Sequence, residues 1–272
     1  MLNPHTALAG ALRRAPPAPR LHRRALVLGG GGTLGAAVLE ALLASHRFEA
    51  VGVVVASPLR PALRGLQAVA DNDAERTAFA PDTALIVYDR ERHANGRDNT
   101  FMRPQPAGLV AQAQALMGSG ATGLIVVVPH APALLPHALK QGLANLDEGA
   151  VAAMGFAQVV FMRMAQVGAG GSDSDSGGTE VRTAPERLAA WMLSQLRWMV
   201  PQREQPVRSD TVARVAAALA FALPQAPPGT RVLPPELLWQ AAQLPRVDEL
   251  AAAWLAGRAT GSRASADRDG YP

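Results

Sequence analysis

The stretch RALVLGGGGTLGAAVLEALLAS, residues 24–45, decides how the rest of the chain can be arranged. Its Ala25–Leu28 is a continuous apolar run, which is typical of a strand buried on both faces of a sheet. Four glycines follow at once, and Thr33–Ser45 has the spacing and the residue types of a helix. Phe48–Ala56 is a second apolar run. The stretch therefore predicts a strand, a glycine turn, a helix and a second strand, which together form a βαβ unit.

The same alternation continues along the chain. Further strands are expected at Thr83–Tyr88, Gly123–Val128, Gln158–Met164 and Val232–Leu233. Further helices are expected at Leu63–Val69, Ala107–Met117, Leu134–Ala152, Pro185–Met199, Thr211–Ala222 and Glu236–Gln243. Apolar strands that alternate with helices predict a parallel sheet covered on both faces. The expected fold class is α/β, a doubly wound parallel sheet of the Rossmann type with a small, mostly helical C-terminal lobe.

Composition shifts suggest where this fold begins and ends. Residues 1–23 are rich in arginine and proline and are expected to form a disordered basic arm, and residues 24–167 the Rossmann domain. The low-complexity residues 168–180 predict a flexible loop. Residues 181–256 are expected to complete the same domain as a helical part, and residues 257–272 to form a disordered tail.

Composition also excludes several kinds of site. The 272 residues contain no cysteine, which rules out disulfides, thiolate nucleophiles and cysteine-based metal sites. The six histidines show no ligand spacing, so no metal site is expected. Of the 26 basic residues, 25 are arginine and Lys140 is the single lysine.

The sequence also bears on location and partners. The longest apolar candidate for a membrane span, Gly123–Leu139, is interrupted by three prolines, so we expect a cytoplasmic protein and no membrane partner. The basic arm has no aromatic residues on which bases could stack, so a nucleic-acid partner is not expected.

The glycine turn is the strongest candidate for a binding site. Its glycines fit two spacings: Gly30, Gly32 and Gly35 satisfy GxGxxG, and Gly29, Gly32 and Gly35 satisfy GxxGxxG. Such glycines let the backbone approach a pyrophosphate, which the free N–H groups of the helix start, at Thr33 and Leu34, can bind. The turn between a strand and a helix therefore predicts a dinucleotide site. The alternative is a glycine loop that only closes a tight joint between strand and helix.

The end of the second strand indicates which dinucleotide is bound. An NAD site places an acidic residue there for the ribose hydroxyls, but the chain continues Val55-Ala56-Ser57-Pro58-Leu59-Arg60. Arg60, with Arg64 expected one turn on, could pair with a 2′-phosphate. NADP(H) is therefore favoured over NAD(H). The alternative is that both arginines are ordinary solvated surface residues.

The chain resembles the short-chain dehydrogenase/reductase superfamily, and most of all its atypical NAD(P)H-binding members related to the epimerase and Tat-interacting-protein types. Three features carry the resemblance: the GxxGxxG turn, Lys140 in a helix after the apolar strand Gly123–Val128, and the C-terminal stretch Val207–Gln243. The similarity covers roughly residues 24–245.

The resemblance implies roles for particular residues. In the family, a Tyr-x-x-x-Lys pair and a serine perform the proton chemistry, and the lysine also binds the nicotinamide ribose. Here Lys140 matches the lysine, but Pro136 stands at the tyrosine position and the strand ends Val128-Pro129-His130 without serine. His130 or His137 could carry the proton in their place. Alternatively, both histidines are edge residues and the lysine remains by chance.

Three functions stay open on the sequence alone. The first is an NADP(H)-dependent oxidoreductase acting on a small-molecule carbonyl or alcohol. The second is a catalytically silent dinucleotide-binding module that senses redox state or acts in assembly. The third is a structural protein without a cofactor, in which Met162, Met164, Trp191 and Trp198 belong to an apolar face for a partner. The oligomeric state is left open.

Overall fold

The structure is a computed structural model that describes residues 23–89, 97–130, 146–165, 207–244 and 246–257. These residues form seven strands: β1 (Arg24–Leu28), β2 (Ala50–Val55), β3 (Leu66–Ala70), β4 (Thr83–Val87), β5 (Gly123–His130), β6 (Gln158–Ala165) and β7 (Gly229–Leu233). They also form seven α-helices: α1 (Gly32–Ala44), α2 (Asp73–Phe79), α3 (Leu109–Gly118), α4 (Leu146–Ala152), α5 (Ser209–Ala222), α6 (Pro235–Gln243) and α7 (Val247–Leu255).

The seven strands make one sheet in the order β3-β2-β1-β4-β5-β6-β7, and every neighbouring pair is parallel. The order reverses direction at β1, because β2 lies on one side of it and β4 on the other. This is a Rossmann-like α/β fold, with its topological switch point between β1 and β4. The predicted fold class is confirmed.

Alternate residues of the strands point to two separate cores. Val27, Val53 and Leu85 pack with α1 and with the C-terminal helices α5, α6 and α7. Leu26, Ile86 and Phe161 pack on the opposite face with α2, α3 and α4. The central strands β1, β2 and β4 are almost wholly buried, as expected for parallel strands covered on both faces. The helical C-terminal part therefore covers one face of the sheet rather than standing apart from it.

One element is predicted wrongly. Leu63–Val69 was expected to form a helix. Most of this stretch belongs instead to the edge strand β3, in which Leu66–Ala70 pairs in register with Val51–Val55. The physical reason lies at Gly65, whose φ of +86° ends any helix there and starts the strand. The helix of this crossover is α2, which begins later, where the Asn72 side chain accepts a hydrogen bond from the Glu75 amide at 2.9 Å.

The other elements within the described residues agree with the prediction to within a few residues. The helices α2 and α7 were not predicted, and of the helix expected at Leu134–Ala152 only Leu146–Ala152 is described. The predicted helix Pro185–Met199, the basic arm, the flexible loop at 168–180 and almost all of the tail lie outside the described residues. Among the described helices, none is long and apolar enough to cross a membrane.

Candidate functional site

The glycine turn joins β1 to α1 more closely than any other residue type would allow. Gly29 and Gly32 have positive φ angles of +93° and +76°. A side chain at Gly35 would overlap the carbonyl oxygen of Gly29, and one at Gly30 would overlap Val53 of β2. The tight joint that the sequence offered as the alternative is therefore real. It also presents the start of α1 at the edge of the sheet.

The start of α1 is open to an anion. Gly31 occupies the N-cap position and has no side chain with which to cap the helix, and the first turn contains no acidic residue. The first N–H groups of a helix have no partner within the helix and carry its positive dipole end. One of them is already engaged, since the Leu34 N–H donates to Oδ2 of Asp89 at 2.6 Å. The helix start thus binds an anionic oxygen in this structure.

Asp89 reaches the helix because of where β4 ends. Leu28 of β1 pairs with Ile86 of β4, so Val87, Tyr88 and Asp89 continue beside the glycine turn. The Val87 carbonyl lies where a Gly29 side chain would be. The turn, the start of α1 and the Asp89 carboxylate therefore meet at the carboxyl edge of the sheet, at the switch point. Open α/β sheets bind their ligands at this position.

A second segment covers the same edge. We call residues Arg97–Pro104 the strap. Its Phe101 forms an antiparallel bridge with Val55 at the end of β2. A side chain added at Gly29 would come within 3.0 Å of Pro104 Cδ, and one added at Gly30 within 3.4 Å of Phe101 Cδ1. The strap thus lies directly against the glycine turn.

A cavity of about 180 Å³ opens beside the end of β1 on the face of α2 and α3. Its polar groups come from Asp71, Arg76 and Gln112, and its apolar lining from Leu28, Met102, Ala111, Ala115 and Leu116. Arg76 forms ion pairs with Asp71 and Asp73, while its Nε is buried without a hydrogen-bond partner. The cavity therefore combines an apolar lining with a few polar groups, as small-molecule sites do.

Arg60 and Arg64 occupy different places. Both are exposed, but the connection from β2 to β3 is not helical, so Arg64 does not lie one turn beyond Arg60. Arg64 directly precedes Gly65, whose carbonyl accepts from the Val51 N–H at 2.8 Å, at the amino end of β2. Arg64 is therefore at the edge of the sheet opposite the glycine turn. Arg60 follows the carboxyl end of β2 by five residues and remains the candidate for a 2′-phosphate.

The structure describes little of the three residues predicted to take part in catalysis. Lys140 and His137 lie outside the described residues. His130 is the last residue of β5, where its backbone pairs with Ala165, and its side chain is not described.

Tyr88 is a residue of the core. It is 4% exposed and packs in the core beneath α3, where its hydroxyl donates to Gln112 Oε1 at 3.2 Å. Burial, and secondarily the charge of Asp147, raises the pKa of its phenol well above the ordinary value. Such a phenol does not exchange protons readily near neutral pH.

Sequence reasoning missed Asp89, the strap and the polar groups of the cavity. Asp89 had a usable signal, because it directly follows an apolar strand that was predicted to end at Tyr88. The strap had none, since its contact with Val55 joins residues 46 positions apart. The described residues contain no group of three His, Asp or Glu side chains that could hold a metal ion.

Comparisons with known proteins find neighbours among solved structures. No family model matches the sequence, and no curated protein matches it. Among solved structures, a Rossmann-fold NAD(P)-binding family protein from Shigella flexneri is 13% identical, with a TM-score of 0.45 over 78% of this chain and 92% of that chain. A short-chain dehydrogenase/reductase superfamily protein from Agrobacterium tumefaciens with bound NAD is 17% identical, with a TM-score of 0.39 over 78% and 77%.

A third neighbour is an enzyme from Bordetella bronchiseptica in complex with NAD, 15% identical with a TM-score of 0.39 over 89% of this chain and 94% of that chain. The solved neighbours are thus Rossmann-fold NAD(P)-binding and short-chain dehydrogenase/reductase proteins. At these identities, the fold assignment for this chain rests on its own strand order.

Proposed function

We propose that this chain binds a dinucleotide at the glycine turn, with the pyrophosphate on the start of α1. The observation that carries the proposal is the 2.6 Å hydrogen bond from the Leu34 N–H to the Asp89 carboxylate, because it identifies an amide at this edge that binds an anionic oxygen. The amides of Gly32 and Thr33 belong to the same first turn, so a pyrophosphate has several donors within reach. Glycine at positions 29, 30, 32 and 35 supports this reading.

The cavity beside Leu28 suits the adenine end of such a ligand. Its volume of about 180 Å³ is below the roughly 300–1,000 Å³ of sites for whole drug-sized ligands. One ring system fits such a volume better than an entire dinucleotide. Asp71 and Gln112 offer acceptors and donors for a base edge, and Met102 and Leu116 offer apolar contact. The cavity begins at Leu28, the residue before Gly29, so base and pyrophosphate would lie close together.

Arg60 supports NADP(H) over NAD(H). The chain places no carboxylate between the end of β2 and Arg60, and a guanidinium binds a phosphate through paired, charge-assisted hydrogen bonds. Arg60 is exposed and therefore available to a ligand at the carboxyl edge.

Thr33 offers a direct test of the binding proposal. Thr33 is exposed, and its N–H has no partner within the helix, so Thr33→Pro removes one donor without breaking a helical hydrogen bond. Thr33→Ala is the matched control, because it changes the side chain and keeps the amide. Calorimetric titration with NADPH should give Thr33→Ala an affinity near that of the unchanged protein.

Thr33→Pro should bind about tenfold more weakly or worse, because hydrogen bonds to charged groups contribute roughly 1.5–3 kcal/mol. Equal affinities of the two variants would place the ligand elsewhere. No binding of NADPH or NADH by these proteins, and none by Asp89→Ala, would end the proposal.

Catalysis is the finer part of the proposal. The reaction class that the resemblance implies is reduction of a small-molecule carbonyl or oxidation of an alcohol, with Lys140 on the nicotinamide ribose and His130 or His137 as proton carrier. The buried position of Tyr88 favours the second candidate, a catalytically silent binding module. A screen of carbonyl compounds with NADPH separates the two. Turnover that is lost in Lys140→Ala supports the enzyme, and NADPH binding without turnover across the screen supports the silent module.

A further inference from the structure

The strap occupies the space that opens where β1 leaves the sheet. The register of β1 with β2 ends at Val27 and Val53, after which the chain turns away through Gly29. The strap continues the pairing along β2. The Met102 N–H donates to the Val54 carbonyl at 3.0 Å, and the Thr100 carbonyl accepts from Ala56 at 2.9 Å and from Ser57 at 3.4 Å. The last residues of β2 are thus paired with the strap.

The side chains of the strap close the same space. Phe101 is half-buried against the core on the face of α1, which also contains Val55. Phe101 and Pro104 lie against Gly30 and Gly29, where a bound dinucleotide would approach the backbone. A pyrophosphate that approaches the backbone of these glycines would meet Phe101 and Pro104.

Asp89 acts on the other half of the site. Its carboxylate oxygen accepts a hydrogen bond from the Leu34 N–H at 2.6 Å, as an oxygen of a bound phosphate would. A carboxylate on a helix start is stabilised by the same donors and the same dipole as a phosphate, so the two exclude each other. The strap therefore covers the glycine turn, and Asp89 covers the start of α1 beside it.

We propose that the chain is self-inhibited, with the strap and the Asp89 carboxylate acting as an intramolecular competitor of the dinucleotide. This inference rests on the proposed function. Binding requires that Asp89 leave the Leu34 amide and that the strap leave Val54–Ser57. The apparent affinity is then the intrinsic affinity reduced by the fraction of molecules in the open state, so any change that weakens the closed state tightens binding.

The pair Val55 and Phe101 allows the strap to be locked. The two flanking hydrogen bonds, from Met102 to Val54 and from Ala56 to Thr100, make this a non-hydrogen-bonded antiparallel pair, the type with the closer Cα atoms. A Cα separation of about 4.5 Å for such pairs lies within the range that disulfides span. The chain contains no cysteine, so Val55→Cys with Phe101→Cys introduces the only two thiols.

The experiment compares oxidised and reduced forms of that double variant by calorimetric titration with NADPH, with disulfide formation verified by mass. The inference predicts that the oxidised form does not bind and that the reduced form binds at least as tightly as the unchanged protein. The single variant Val55→Cys should respond to neither oxidant nor reductant. An oxidised form that binds as tightly as the reduced one overturns the inference.

Asp89→Ala provides the second arm. It should tighten NADPH binding by about tenfold, because it removes a competing charge-assisted hydrogen bond. The exposed Asp210→Ala, with the same change in net charge, should leave the affinity unchanged. Unaltered or weaker binding by Asp89→Ala, in a protein that does bind NADPH, overturns self-inhibition and leaves the proposed function intact. Absence of binding in every form, reduced double variant and Asp89→Ala included, overturns the proposed function and the inference with it.

Discussion

At the scale of single residues, the shape of the site depends on glycines, which have no side chain. Gly35 is the clearest case, because any side chain there would overlap the Gly29 carbonyl oxygen across the joint of β1 and α1. The sequence predicted a tight glycine turn between an apolar strand and a helix, and it left open whether that turn binds a pyrophosphate or only closes the joint. The GxxGxxG reading, with Gly29 and Gly32 at positive φ, fits the observed backbone.

Gly35→Ala should lower the free energy of unfolding by about 1–3 kcal/mol, the usual cost of overpacking a close contact. Gly149→Ala is the control, since Gly149 lies in α4 and an added methyl group meets nothing within 4 Å. That control should stabilise the protein by about 0.5–1 kcal/mol through lower backbone entropy. Denaturant titration measures both. A Gly35→Ala protein as stable as the unchanged one would contradict the tight joint.

Arg60 and Arg64 allow a test of the 2′-phosphate site, with Arg64→Ala as the charge-matched control for Arg60→Ala. If Arg60 binds a 2′-phosphate, Arg60→Ala should weaken NADPH binding about tenfold and leave NADH binding unchanged, because only NADPH carries that phosphate. Arg64→Ala removes the same charge at the opposite edge of the sheet and should affect neither ligand. Parallel titrations of both variants with both nucleotides provide the measurement. Equal losses in the two variants would indicate a general charge effect and contradict a specific role of Arg60.

At the scale of secondary-structure elements, the buried strands were predictable and the exposed edge was not. The runs that became β1, β4 and β5 are apolar because helices cover both of their faces. β3 was predicted as a helix because it lies at the edge of the sheet, where its apolar pattern is weak. Four of its five residues are partly buried or exposed, and only Val69 is buried. Its identity is fixed by pairing with β2, a long-range contact that a local pattern does not contain.

The start of α2 offers a test at this scale. Asn72 caps the helix by accepting from the Glu75 amide, so Asn72→Ala should reduce the free energy of unfolding by about 1 kcal/mol. Asn72→Asp keeps an acceptor at the same place and should be nearly neutral. Thermal and denaturant unfolding of the two variants gives the comparison. A loss of the same size in Asn72→Asp would show that the cap is not what stabilises α2.

The joint between α4 and β6 is an ion pair enclosed in the core. Arg163 of β6 is 2% exposed and Glu148 of α4 is 3% exposed. Nη2 of Arg163 lies 2.9 Å from Oε2 of Glu148. Glu148→Ala removes this ion pair from a buried guanidinium, so it should lower the free energy of unfolding by about 3–5 kcal/mol. Glu249→Ala breaks the exposed pair with Arg246 and should cost at most about 1 kcal/mol. Denaturant unfolding measures both variants. Similar losses of unfolding free energy would show that the buried ion pair stabilises the protein no more than the exposed one.

At the scale of the whole molecule, the C-terminal helices hold the first βαβ unit in place. α5 packs along α1, and Phe221 at its end lies beneath the guanidinium groups of Arg23 and Arg47 at 4.3 and 4.8 Å. Arg47 also binds Asp248 of α7 through two hydrogen bonds of 2.6 and 2.8 Å. Residues near both ends of the described chain thus meet at the amino edge of the sheet, opposite the glycine turn.

The sequence predicted the glycine turn and the alternation of apolar strands and helices on either side of it, because both follow from local patterns. It did not predict that Asp89 and the strap would cover the turn. Those contacts depend on where β4 ends beside β1 and on the space that β1 leaves beside β2. Such placement becomes visible only once the sheet has been assembled.

The most direct test of the central claim is the change in backbone amide chemical shifts of the full chain on addition of NADPH. A dinucleotide on the glycine turn should shift the amides of Gly31–Leu34 most strongly. Displacement of the strap should shift Ala56, Ser57 and Met102 as well. Shifts confined to residues away from the carboxyl edge of the sheet, or none at millimolar NADPH, would contradict the account.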